Sequence, residues 1–259
     1  MEPTKSDNPF SAPAARVSDV VSEEQGALLA EPNSVDAGRG VGWVGDGWAL
    51  FREATGMWVG LVLILGVIFI VLSMMPLINL LVSLVMPVFI GGLMLGCRDL
   101  ARGDGLELGH LFAGFKSHFG QLVLAGVIYG VGAFVIMAGV MIAMVGSMGL
   151  AVFTGGDAAG VDPMSVLLAM LVAMALLIPL AMTIWFAPAL IVLHDLPAME
   201  AMMLSFKGCL RNIVPFLLFG VVLMVLAVVA SIPLMLGWLV LGPVMITSQY
   251  VAYRDIFVD

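Results

Sequence analysis

The sequence predicts an all-α, polytopic membrane protein with six transmembrane helices in three hairpins, each hairpin preceded by an amphipathic helix at the membrane interface. Its residues are 62% hydrophobic and only 11% charged, with a mean hydropathy of +1.14. That is more apolar surface than one water-soluble core can hide and too little charge to cover it. Six stretches, near 57–75, 77–97, 119–146, 164–193, 212–232 and 235–253, contain no Asp, Glu, Lys or Arg. Each has about the 20 residues that a span requires. All ten Lys and Arg fall in segments that this reading puts on one side of the membrane. Retained Lys and Arg mark the cytoplasmic side, so a multi-pass protein of the bacterial inner membrane is expected, with both termini in the cytoplasm.

Residues 1–40 mix Pro, Ser and Ala with Glu2, Asp7, Asp19, Glu23, Glu24, Glu31 and Asp36, against Lys5, Arg16 and Arg39. About half of the net charge of -8 lies there. Without a basic start followed by an apolar run, this is no secretory signal. It reads as a disordered acidic tail. Residues 41–259 form the membrane domain, in units of about 41–105, 106–196 and 197–259. The turns at Met74–Asn79 and Ser231–Pro233 are too short for anything but tight antiparallel hairpins. The middle pair is longer, and its Gly-rich loop carries Asp157 and Asp162 ahead of Pro163, a residue suited to a first helical turn.

Each unit opens with helical periodicity. Leu108, Leu111, Phe112, Phe115 and Phe119 share one helical face, Met199, Met202, Met203, Phe206 and Leu210 repeat the offsets, and Val44, Trp48 and Phe51 follow more loosely. These stretches are expected along the interface, anchored by Trp48, Phe51, Arg52, Phe115, Lys116, Phe206 and Lys207. Each unit closes on a basic or imidazole residue followed by Asp: Arg98-Asp99, His194-Asp195 and Arg254-Asp255. Phe51 to Arg98 is 47 residues and Phe206 to Arg254 is 48, while Pro87 and Pro243 each precede their Asp by 12. Repeats of two spans keep one orientation, so a pseudo-threefold parallel arrangement is expected.

Ser205-Phe206-Lys207 ahead of Asn212 and Pro215-Phe216, the closing Tyr253-Arg254-Asp255-Ile256-Phe257, and the opening Gly47-Trp48 with Leu50-Phe51-Arg52 resemble uncharacterised bacterial YciC-like inner-membrane proteins. Those are distantly similar to the membrane domain of some glycerophosphodiester phosphodiesterases. The resemblance covers most of residues 41–257 and implies a six-helix membrane domain. It brings no catalytic residues, because the hydrolase of those fusions is a separate soluble unit.

The residues themselves point away from catalysis. No ionisable group lies at mid-membrane depth to couple protons or to activate a hydroxyl such as Ser83 or Ser248. His110, His118, His194, Cys97 and Cys209 match no zinc spacing, so no metal or other cofactor is expected. An acidic balance argues against nucleic acid. Cys97 and Cys209 are expected as reduced thiols. Pseudo-symmetry could bring Asp99, Asp195 and Asp255 into a carboxylate ring suited to a cation or a basic partner. The alternative is that each Asp pairs locally or ends a helix. Thr247, Ser248 and Gln249 are expected to bond between helices, and Pro87, Pro179, Pro188 and Pro243 to kink them. The function expected is a non-enzymatic organising component whose partners are the lipid bilayer and other membrane proteins or a second copy. A channel or carrier for a neutral or lipid-like molecule is the alternative.

Overall fold

An apolar run in hydrocarbon has no solvent for its N–H and C=O groups, so it closes them on itself as a helix. The computed structural model describes residues 26–74, 76–153 and 163–259. Among these, α1 is Arg39–Glu53, α2 Thr55–Ser73, α3 Pro76–Arg102, α4 Ala113–Lys116, α5 Phe119–Phe153, α6 Pro163–Trp185, α7 Ala187–His194, α8 Ala198–Arg211, α9 Ile213–Ser231 and α10 Trp238–Phe257. A 3₁₀ turn, Leu108–Phe112, precedes α4. Among the described residues five stretches are long and apolar enough to cross a membrane: Thr55–Leu72, Leu84–Arg102, Phe119–Met144, Pro163–His194 and Ile213–Ser231. The sixth expected span is α10, whose 20 residues extend about 30 Å. Its Thr247, Ser248, Tyr250 and Tyr253 lower its hydropathy, and all four are buried against protein.

The opening segment of each unit packs on a closing helix of another. The 3₁₀ turn and α4 lie on α3, α8 lies on α6 and α7, and α1 lies on α10 and α9. The contact order is therefore cyclic, and the first unit closes on the last. Small residues permit these approaches. A Cβ added at Gly40 of α1 would land on the Pro215 carbonyl oxygen, and one at Gly114 of α4 on the Val88 carbonyl oxygen. The Thr247 hydroxyl donates 2.8 Å across to the Gly47 carbonyl.

Four expectations change. The stretch 164–193 is one apolar run but two helices, parted at Phe186, because Pro188 cannot continue the ladder. Ser205 of α8 inserts into the gap: its hydroxyl accepts the Phe186 N–H at 3.0 Å and donates to the Met182 carbonyl at 2.7 Å. Those groups would bond each other in a continuous helix. Pro87, Pro179 and Pro243 instead sit inside unbroken helices.

The second correction is that the opening segment of unit two is no continuous amphipathic helix. Leu111 is buried while Leu108, Phe112, Phe115 and Phe119 are exposed, and the chain breaks again at Ser117-His118, where His118 takes φ 58°. On α8 the stripe does form, but Met199, Met203 and Leu210 face outward, and the small residues Ala198, Ala201, Ser205, Gly208 and Cys209 face the bundle together with Met202.

Third, Phe51 is no interfacial anchor: it is 1% exposed, because α1 turns it into the core beside α10. Trp48, Arg52, Phe115, Lys116 and Lys207 are exposed as expected and Phe206 is half-buried.

Fourth, the tail expected over 1–40 is bound from Gly26 onward. Residues 26–38 run as a strap along the end of α10, where the Leu29 and Asn33 N–H groups reach the Phe257 and Ile256 carbonyls at 2.9 and 2.7 Å. These are carbonyls that a helix end leaves without partners. Asn212, 1% exposed, accepts the Val35 N–H at 2.9 Å and donates to the Asn33 carbonyl at 2.8 Å. Residues 1–25 and the Gly-rich loop at 154–162 lie outside the described residues.

Two substitutions separate these contacts from generic helix propensity. Gly40→Ala should destabilise the detergent-solubilised protein by roughly 1–3 kcal/mol, because the added methyl overpacks a backbone contact. Gly139→Ala, which meets nothing within 4 Å, should be neutral or slightly stabilising. Thermal unfolding midpoints of both variants check this, and equal effects would refute the close approach.

Candidate functional site: the basic end of the bundle

The three Asp residues singled out by spacing each hold a different partner. Asp255 accepts from Arg39 Nε at 2.8 Å, Arg39 Nη2 at 2.5 Å and Trp43 Nε1 at 2.8 Å, all on Oδ2. The charge-assisted bonds tie α10 to α1. The hydrogen bond to Asp255 raises the pKa of Arg39, keeping an already permanent cation charged. Asp99 receives Arg98 Nε at 2.8 Å and pairs with His110 Nε2 at 2.9 Å. His110 Nδ1 lies 3.0 Å from the Glu107 N and 3.2 Å from the Glu107 carbonyl, so the ring is held at the start of the 3₁₀ turn.

Asp195 pairs with His118 Nε2 at 2.5 Å, joining the end of α7 to the start of α5. Both residues have left-handed backbones, φ 55° and 58°, so two strained corners are tied to one another. The Asp195 side chain is 84% exposed, against 27% for Asp255. Local pairing, rather than a shared ring, accounts for all three carboxylates.

What does converge is the residue before each Asp. Arg98, Leu193, Tyr250, Tyr253 and Arg254 line a space of about 10 Å³, and His194 Nε2 bonds the Tyr253 hydroxyl. Such a space admits at most a single water. Near it Met94, Cys97, Phe186, Leu190, Ile191 and Phe257 are buried, none more than 2% exposed, with Phe186 edge-on to Phe257 at 5.2 Å. Gln249 of α10 donates to the Trp185 carbonyl at the helix break, as its position between helices predicts.

A larger open recess of about 680 Å³ lies beside this centre, lined by Arg39, Asp46, Glu53, Tyr250, Arg254 and Asp255 among others. Among the described residues no group of three or more His, Cys, Asp or Glu could hold a metal ion.

The chain is 30% identical over 207 residues to a probable inner membrane protein of Burkholderia thailandensis, with 76% of each chain covered. This chain belongs to that family of inner-membrane proteins. No family model and no solved structure matches it. Among these inner-membrane proteins, the present chain supplies a helical bundle whose basic end is stitched by Asp pairs.

Sequence reasoning found the polar residues here but not their geometry. It missed Arg39 and Trp43 as partners of Asp255, because Arg39 had been placed in the tail. It also missed Ser205 at the helix break, which a serine facing a Pro-interrupted span could have signalled.

Graded losses should follow from the differing exposure. Asp255→Asn is expected to cost about 1–3 kcal/mol, the range for hydrogen bonds to a charged group, whereas Asp195→Asn should fall within about 1 kcal/mol. Unfolding midpoints in one detergent test the order, and a larger loss at Asp195 would contradict it.

Cys97 and Cys209 are free and buried, and burial pushes the Cys209 thiol up to about 12. A raised pKa leaves almost no thiolate at pH 8. Maleimide should therefore label Cys209 slowly in the folded protein and fully after unfolding in SDS. Rapid labelling of the native state would contradict its burial.

Proposed function

We propose that this protein is an organising component of the inner membrane that binds other membrane proteins or a second copy of itself, and that it is neither an enzyme nor a channel. The observation that carries this reading is the filled centre. A channel needs a polar path between the spans, whereas α3, α7 and α10 meet through aromatic and aliphatic side chains and leave about 10 Å³ at the basic end. Contact surface then becomes what the bundle has to offer. Trp48, Met199, Met203 and Leu210 stand exposed on α1 and α8, beside the cations Arg52 and Lys207.

The basic end faces the cytoplasm in this reading, with both termini there, following the distribution of Lys and Arg. In this reading the family is the YciC-like group, which the motifs at Ser205–Phe216 and Tyr253–Phe257 resemble. A second reading, a carrier for lipid-like molecules, draws support from two crevices of about 550 and 510 Å³ whose lining is almost wholly apolar.

Photoreactive residues in place of Trp48 and Met203 in intact membranes should give discrete higher-mass adducts, either with one membrane protein or with a second copy. Proteoliposomes of the pure protein should stay closed to small polar solutes. A monomer without adducts, together with solute flux, would overturn the proposal.

A further inference from the structure

The three units meet along three seams of unequal closure. Span packs on span where α3 meets α5 and where α10 meets α2 and α3. The seam between units two and three is carried chiefly by the surface helix α8, which bridges α6 and reaches α9. Above that bridge, α6 and α9 part and leave a crevice of about 510 Å³, lined by Pro179, Met182, Trp185, Leu210, Phe216 and Leu217 among others. Its walls are almost wholly apolar. Apart from Cys209 and Leu210 of α8, they belong to the stretches Pro163–His194 and Ile213–Ser231, both apolar enough to span. A crevice of this composition suits an apolar ligand, and its volume is within the range of small-ligand sites.

Two polar features stand at its basic end. Among the described residues the buried Trp185 indole N–H has no acceptor, although a buried indole ordinarily finds one. Lys207 is exposed, and among the described residues it has no carboxylate partner. It lies one helical turn before Leu210, so the two side chains are neighbours on the outer face of α8. Arg211 follows it on the same side, paired with Glu31 at 3.2 Å. An ammonium group beside an apolar crevice at headgroup depth matches a lipid phosphate above its acyl chain.

We propose that this crevice binds an acyl chain of an anionic glycerophospholipid, whose phosphate is held by Lys207 and whose ester region lies at Trp185. The site is independent of the organising role, since it requires only that the protein sits in a membrane.

Native mass spectrometry of the full-length, delipidated protein with added dioleoyl-phosphatidylglycerol or dioleoyl-phosphatidylcholine tests it. The native chain should retain one phosphatidylglycerol about tenfold more tightly than phosphatidylcholine. Lys207→Gln should remove that preference, weakening phosphatidylglycerol more than phosphatidylcholine, whose choline ammonium already offsets its phosphate. Gly220→Phe should abolish retention of both, because Gly220 lines the crevice and a Cβ added there meets nothing within 4 Å, leaving the ring the crevice to occupy. Its unfolding midpoint should stay native, which separates a filled site from a misfolded protein. Equal retention of the two lipids by the native chain, or undiminished retention by Gly220→Phe, would overturn the assignment.

Discussion

The contact between α1 and α10 joins the first unit to the last, and the closed order of the bundle depends on it. It combines three kinds of interaction. Backbone approach at Gly47 brings α1 against Ser248 of α10. A buried hydroxyl, Thr247, spans the gap to the Gly47 carbonyl. Asp255 collects three donors from α1 on one oxygen. In lipid the hydrophobic effect does not drive helices together, so small-residue packing and directed polar contacts set which faces meet. The same need explains Ser205, which repairs the interrupted ladder of α6 and α7 and docks α8 in one step.

The strap at residues 26–38 extends that closure. Ile256 and Phe257 end α10 with carbonyls that require donors, and the strap supplies them from the other end of the chain. Asn212, at the junction of α8 and α9, holds the strap through both ends of its amide. Units one and three are thus joined by helix packing and by main-chain hydrogen bonds together. The Asp pairs add electrostatic ties near the same end, each between a closing helix and an opening segment.

The spans were legible because hydrocarbon imposes a composition that no other environment does. Five of the six apolar runs correspond to stretches capable of crossing a membrane, and the sixth became the protein-covered α10. Faces were harder to read. In water the apolar side of α8 would turn inward, whereas beside lipid Met199 and Met203 face out and Ala201, Ser205 and Gly208 face in. Phe51 was misplaced because an aromatic beside Arg52 fits a headgroup anchor as well as a core residue. The carboxylates were found by spacing, but their partners Arg39, His110 and His118 come from other segments, and no local pattern announces such pairings. Among glycines spaced four apart, Gly92 and Gly96 lie against His110 and Gly126 and Gly130 against Leu84, while a Cβ at Gly56 or Gly60 would meet nothing within 4 Å. Spacing alone does not say which neighbour will come.

Closure of the last unit on the first is tested most directly by a disulfide between strap and terminus. Leu28 and Val258 form an isolated antiparallel bridge, the arrangement that brings two Cβ atoms within bonding reach of a disulfide. The experiment places Cys at both positions, replaces Cys97 and Cys209 by Ala, and adds a protease site to the Gly-rich loop near residue 156. Membranes are oxidised and then cut. The account predicts that the two fragments migrate together until reduced. Fragments that separate without reductant would show that the chain does not close on itself.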